Sequence, residues 1–307
     1  MDKNNMICDL ETGICGVAGE DSMEFINLIQ PQKKITLYYV TDPICSHCWA
    51  VEPVLRRFKE QYGQYFNTQT VMGGLLPSWK GFADVANGIG SPSDVASHWR
   101  EVGEHSRMPI DGTLWLDNPV QSSYPPSRVY KLIQQKDEQL AVTYLRRARE
   151  AVFAFNQNIA DDEVLIEIVN NLGLDGEEIV KEASKESSQM LLDQDFALAR
   201  SLGVRGFPTI IMVNEENKGV KIVGARPLDY YVKGLEKVLE LTDPLQIQEL
   251  PTLKNLLAKE GLLFSRELED MYDLKQSEVE SFVEGQLTLG DYQRKEILGE
   301  VYFEKHK

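Results

Sequence analysis

Cysteine is scarce in this chain: four in 307 residues, Cys8, Cys15, Cys45 and Cys48, all near the start. That excludes a disulfide-stapled secreted fold, and a chain of this length can bury a core without such staples. Basic charge is also thin. Thirty-two Lys and Arg against 48 Asp and Glu leave a formal net charge of −16, a surface that repels phosphate backbones and anionic lipid. No Gly-rich nucleotide loop is present, so no organic cofactor is expected. No apolar run approaches the roughly 20 residues of a membrane span. The first 30 residues hold one Lys and lack the apolar stretch of roughly 7–15 residues that marks a secretory signal. The expectation is a cytoplasmic protein that binds neither nucleic acid nor membrane. In that compartment a cysteine pair is more often catalytic, redox-sensing or metal-bound than structural.

What is present is patterning. Residues 1–32 read as an acidic leader, dotted with Asn and Gly. The β-rich run Ile35-Thr36-Leu37-Tyr38-Tyr39-Val40 follows, then a helical pattern from Cys45 to Tyr62 and a second strand over Phe66–Met72. Strand, helix and strand in this order make a parallel crossover. Residues 80–202 read as helices, clearest over Pro92–His105, Ser127–Gln135, Glu138–Asn156, Asp161–Asn171 and Ser187–Leu202. After Gly203 the strand signature returns as Thr209–Val213 and Val220–Val223, followed by the amphipathic Leu228–Leu241. The expected organisation is a leader (1–32), one half of an α/β fold (33–79), a helical insertion (80–202), the second half (203–242) and an appendage (243–307).

Cys45-Ser46-His47-Cys48 stands where the first strand gives way to the first helix. Two thiols at this spacing can close a disulfide across one helical turn. The first faces the unpaired N–H groups and positive dipole end, which stabilise a thiolate; the second lies a turn deeper and resolves a mixed disulfide. A protonated His47 would add positive charge beside Cys45 and favour the reduced form. The alternatives are half of a zinc site or two inert buried cysteines. Placement on a strand-to-helix junction favours a redox pair.

Two further features point to a family. Pro53 falls inside the helix five residues after Cys48, where proline is ordinarily unfavourable. Gly203-Val204-Arg205-Gly206-Phe207-Pro208-Thr209 precedes the returning strand and resembles the cis-proline loop of DsbA-type proteins. With the helical insertion and the stretch Asp42-Pro43-x-Cys45-x-x-Cys48-Trp49-x-x-Glu52-Pro53, the chain resembles the DsbA family over roughly residues 33–242. Within that family it is similar both to the FrnE-type dithiol–disulfide isomerases and to the ClpXP adapters that bind the regulator Spx. The resemblance implies a thioredoxin fold with a large helical insertion. It implies two functions: a thiol–disulfide oxidoreductase or isomerase acting on protein or small-molecule disulfides, or an adapter for ClpXP whose CxxC is a redox switch. Cys45 and Cys48 would react, Ser46 and His47 tune them, and Trp49, Phe207 and Pro208 contact the substrate.

Other residues stay open. Cys8 and Cys15 are a candidate second redox pair, a contribution to a four-thiolate zinc site with Cys45 and Cys48, or two reduced thiols; no metal site is assigned. Trp49, Trp79, Trp99 and Trp115 are core residues or the lining of a peptide groove. His98 and His105 share a helix face, Glu52 is a candidate proton acceptor for Cys48, and Arg205 a candidate substrate-steering charge. In the appendage, three short helices and a hairpin resemble a small winged helix. Its 14 acids against eight bases weigh against DNA and favour a docking module for a protein partner, or a clamp on the main domain.

Overall fold

The computed structural model describes residues 8–9, 14–15, 35–84, 87–241 and 244–306. Strands β1 (Cys8–Asp9) and β2 (Ile14–Cys15) pair antiparallel within a small unit of residues 1–32, with Cys8 opposite Cys15. The second unit runs from Lys33 to Lys307.

In that unit β3 (Ile35–Thr41) is central, as its apolar and β-branched composition predicts. It pairs in parallel with β4 (Phe66–Met72) through the crossover formed by α1 (Ser46–Ala50) and α2 (Glu52–Tyr62). The expected single helix is therefore two. Val51 adopts φ −91° and ψ −8° at the joint, and Pro53 stands in the first turn of α2, where a missing N–H breaks no helical bond.

Among the described residues, seven α-helices separate β4 from the returning strands. They are α3 (Pro92–Ser106), α4 (Leu114–Asp117), α5 (Tyr124–Lys136), α6 (Glu138–Arg149), α7 (Asp162–Asn170), α8 (Gly176–Ala183) and α9 (Glu186–Ser201). Beyond the four-residue α4, which was not read, two points differ from the expected pattern. The helix read over Glu138–Asn156 widens into a π-helical turn at Glu150–Ala154, and α8 was not read because it opens on Gly176, a poor helix former. Asp175 caps α8 by accepting from the Glu178 N–H at 2.9 Å. Strands β5 (Thr209–Val213) and β6 (Gly219–Val223) then complete an antiparallel extension, giving the order β4-β3-β5-β6, and α10 (Leu228–Leu239) packs against it. The result is an α/β thioredoxin fold divided by a helical insertion.

The appendage runs α11 (Leu253–Glu260), β7 (Leu262–Phe264), α12 (Ser265–Tyr272), α13 (Val279–Gln286), β8 (Tyr292–Ile297) and β9 (Glu300–Lys305). Its sheet has the order β7-β9-β8, and helices followed by a hairpin are the winged-helix-like arrangement. β7, three apolar residues after Gly261, is too short to announce itself as a strand. The appendage has a core of its own around Leu256, Leu263, Met271 and Phe303. Leu262, Phe264 and Tyr302 instead join the large cluster of the insertion around Trp49, Trp99, Tyr130 and Phe153. Each such buried side chain contributes ~1.5–3 kcal/mol of transfer free energy.

Candidate functional site

The end of β3 is fixed by a buried carboxylate. Asp42 accepts from the N–H groups of Ile44 (3.1 Å) and Leu75 (2.7 Å) and from the Ser123 hydroxyl (2.8 Å). Burial outweighs these bonds and pushes its carboxyl up to about 6. The Asp42 carbonyl in turn receives the Cys45 N–H at 3.2 Å, which sets Cys45 at the N-cap of α1. There the Cys45 sulfur accepts from the Cys48 N–H at 3.2 Å. The sequence showed Asp42 within a motif but gave it no role, since its partners come from distant loops.

Cys45 and Cys48 are unbridged, 5% and 0% exposed. Cys45 was expected to hold the thiolate. In the fold burial pushes the Cys45 thiol up, and the charge of a neighbouring Cys48 thiolate adds to the effect. Burial also opposes ionisation of Cys48. The hydrogen bond from Cys45, the guanidinium of Arg149, the Thr41 hydroxyl and the Asp42 backbone outweigh it, so the Cys48 thiol lies below its ordinary value.

The protonated form of His47, which would add positive charge beside Cys45, is disfavoured. Crowding in its groove, then repulsion from His98 and His105, lower its affinity for a proton; the His47 and His98 rings meet edge-on at 5.5 Å. Glu52, the candidate proton acceptor for Cys48, is engaged elsewhere. It pairs with Arg149, and although burial works against its ionised form, Arg149, Arg146 and Arg56 hold its carboxyl below the usual range.

Trp49 belongs to the core rather than to a substrate groove. Its Nε1 donates to the Pro109 carbonyl at 3.0 Å, its ring stacks on Phe153, and the Arg146 guanidinium lies 4.7 Å from the ring centroid. Trp79, Trp99 and Trp115 do line a pocket of about 640 Å³ together with Cys45, Ser46, His47, Arg205 and Phe207. The loop beside it carries a cis Phe207–Pro208 bond. Gly73 makes room for Phe207, because a Cβ there would lie 2.0 Å from the ring. Ser46 is buried and Arg205 exposed. His47 and His98 are shared with an adjoining groove of about 730 Å³, which His105 and the exposed Arg226 also line.

Cys8 and Cys15 face each other as backbone partners, while their side chains lie outside the described residues. Among the described residues no group of three or more His, Cys, Asp or Glu is placed to hold a metal ion, and no helix is long and apolar enough to cross a membrane.

Comparison with known proteins agrees with this geometry. The profile of a thioredoxin family matches residues 38–233. The protein named ClpXP adapter protein SpxH of Halalkalibacterium halodurans is 31% identical, covering 91% of this chain and 90% of its own. The SpxH of Bacillus subtilis is 29% identical, covering 81% and 82%. Among solved structures, the cytosolic disulfide reductase DsbM from Pseudomonas aeruginosa superposes with a TM-score of 0.50 at 22% identity, covering 67% of this chain and 95% of its own. The chain is therefore a member of the thioredoxin family, in the subfamily of the SpxH adapter proteins.

Proposed function

We propose that the protein is an adapter that presents a Spx-type regulator to the ClpXP protease in the cytoplasm, with Cys45 and Cys48 as a redox-sensitive element. The observation that carries this reading is the burial of Cys45. The residue that borders the pocket is only 5% exposed, and burial pushes its thiol up, which ill suits repeated attack on protein disulfides. The names borne by relatives matching nine-tenths of the chain support the same reading. The aromatic pocket beside Cys45, flanked by Phe207 and Pro208, offers a seat for an apolar side chain of the partner.

A second reading, a thiol–disulfide oxidoreductase or isomerase, is favoured by one arrangement: an unbridged CxxC at a helix N-terminus beside a cis-proline loop. In it Cys45 attacks a substrate disulfide, Cys48 resolves, and Phe207–Pro208 aligns the chain.

Capture and degradation separate the two. With Cys45→Ala/Cys48→Ala, the adapter should still bind a Spx-type regulator and speed its degradation by purified ClpXP. Trapping of several partners by Cys48→Ala, all lost on reduction and in Cys45→Ser, would overturn the adapter reading.

A further inference from the structure

A cavity of about 580 Å³ opens where the thioredoxin half, the insertion and the appendage meet, and neither Cys45 nor Cys48 lies in its wall. Its size falls within the range of small-molecule sites. Tyr39 of β3, Leu55 of α2, and Val142 and Leu145 of α6 give it an apolar side, and α11 contributes Lys259 and Glu260. The carboxylates that border it are already engaged. Glu52 pairs with Arg149, Glu60 with Lys259 (3.0 Å) and Glu260 with Arg56 (3.5 Å), while Glu138 accepts from the Gln134 amide at 3.2 Å. The cations do not balance in the same way. Among the described residues Lys59 finds neither an ion pair nor a hydrogen bond, and its Nζ stands 5.5 Å from the centre of the Tyr39 ring. Burial, with repulsion from Arg149, Arg56 and Lys259, outweighs the attraction of Glu52 and holds the Lys59 amine below its ordinary range. Arg146 of the same wall has a side chain 5% exposed, and its Nη1 lacks a hydrogen-bond partner. An ammonium half-withdrawn from water and left without a carboxylate attracts an arriving anion more strongly than it would in water.

We propose that this cavity binds a small organic monocarboxylate with a hydrocarbon body, its carboxylate on Lys59 and its chain against Leu55, Val142, Leu145 and the Tyr39 ring. The single charge follows from the wall. With Glu52, Glu60, Glu138 and Glu260 all engaged, one cation is left uncompensated, and a dianion such as a phosphate monoester meets more repulsion from those carboxylates than Lys59 offsets. The hydrocarbon body follows from the apolar side, which gains by leaving water. Because the wall is drawn from α2, α6 and α11, a bound acid joins the appendage to the thioredoxin half and the insertion, and its occupancy adds to the stability of the fold by mass action. The site holds for adapter and oxidoreductase alike, since the cysteines take no part in it.

The test titrates octanoate into the full chain near neutral pH by calorimetry, with octanol and octyl phosphate as the uncharged and more highly charged counterparts. Octanoate should bind saturably at one site and raise the melting temperature, and both counterparts should bind about tenfold more weakly or worse. Lys59→Met should weaken octanoate about tenfold or more, the loss of a charge-assisted hydrogen bond, whereas Lys59→Arg should retain most of the affinity. Bound octanoate should also shield Lys59, above the other lysines, from acetylation by acetic anhydride, read by mass spectrometry. Absence of saturable binding at millimolar octanoate overturns the proposal. So does equal binding of octanol, which would mark unspecific apolar adsorption, equal binding of octanoate by folded Lys59→Met, or tighter binding of octyl phosphate. If Lys59→Met does not fold, the acetylation pattern of the wild-type chain decides: selective protection of Lys59 supports the site, and unchanged labelling in saturating octanoate overturns it.

Discussion

Asp42 shows how one side chain can hold a site and record pH. Its ordinary value of 3.8 rises to about 6 in the fold. Between these values the folded protein keeps a proton that the unfolded chain releases. The contribution to stability is therefore complete below about pH 4 and is lost as pH rises through about 6, a change of ~3 kcal/mol. A ¹³C carboxyl titration should place the Asp42 midpoint near 6, and Asp42→Asn should flatten the fall of stability between pH 4 and 6. A midpoint near 4 would contradict the burial argument. His47 makes a second prediction at this scale. Because its neutral form is favoured, His47→Gln should leave the thiol titration at pH 7–8 unchanged, whereas a protonated His47 would shift it. Neither result was legible beforehand: Asp42 depends on Leu75 and Ser123, and His47 on His98, all remote in sequence.

At the scale of elements, α6 connects the site to the appendage. One turn before Arg149, Arg146 pairs with Glu150 (2.8 Å) and with Glu267 of α12 (2.8 Å), and it covers the face of Trp49. Glu267 is also paired with Arg56 of α2 at 3.2 Å and accepts the Phe264 N–H at 2.9 Å. Arg146→Ala strips a cation from two buried carboxylates and should cost ~3–5 kcal/mol in urea unfolding. Arg146→Met, which keeps the packing on Trp49, should recover part of that loss. Equal losses in the two variants would show that packing contributes nothing. The apolar periodicity of Glu138–Asn156 was readable as a helix. The π turn was not, because the same residues suit either winding and only the packing of Ala151–Ala154 in the core selects the wider one.

At the scale of the whole molecule, the acidic appendage is bound to the body it follows. Arg107 of the C-cap of α3 makes ion pairs to Glu269 (2.8 Å) and Glu300 (3.0 Å), and Arg57 donates to the Asp270 carbonyl at 2.8 Å. Part of the negative charge that argued against DNA is thus matched internally by arginines of the thioredoxin half and the insertion. A chain ending at residue 242 should melt at lower temperature than the full chain, and its tryptophan emission should shift to the red as Trp49 loses Phe264. Unchanged melting and emission would mean that the appendage is only tethered.

The sequence by itself determined the strand–helix–strand start, the returning hairpin, the intervening helices and the CxxC turn, because these rest on local periodicity, turn residues and motif spacing; the cis-proline loop was implied by the family resemblance. Only the tertiary structure decided that both sulfurs of the pair are buried, that Glu52 is held by Arg149, that Trp49 is core while three other tryptophans line the pocket, and that the appendage grips α2 and α3. Each of these depends on where a buried charge finds its partner, and such partners stand tens to hundreds of residues apart.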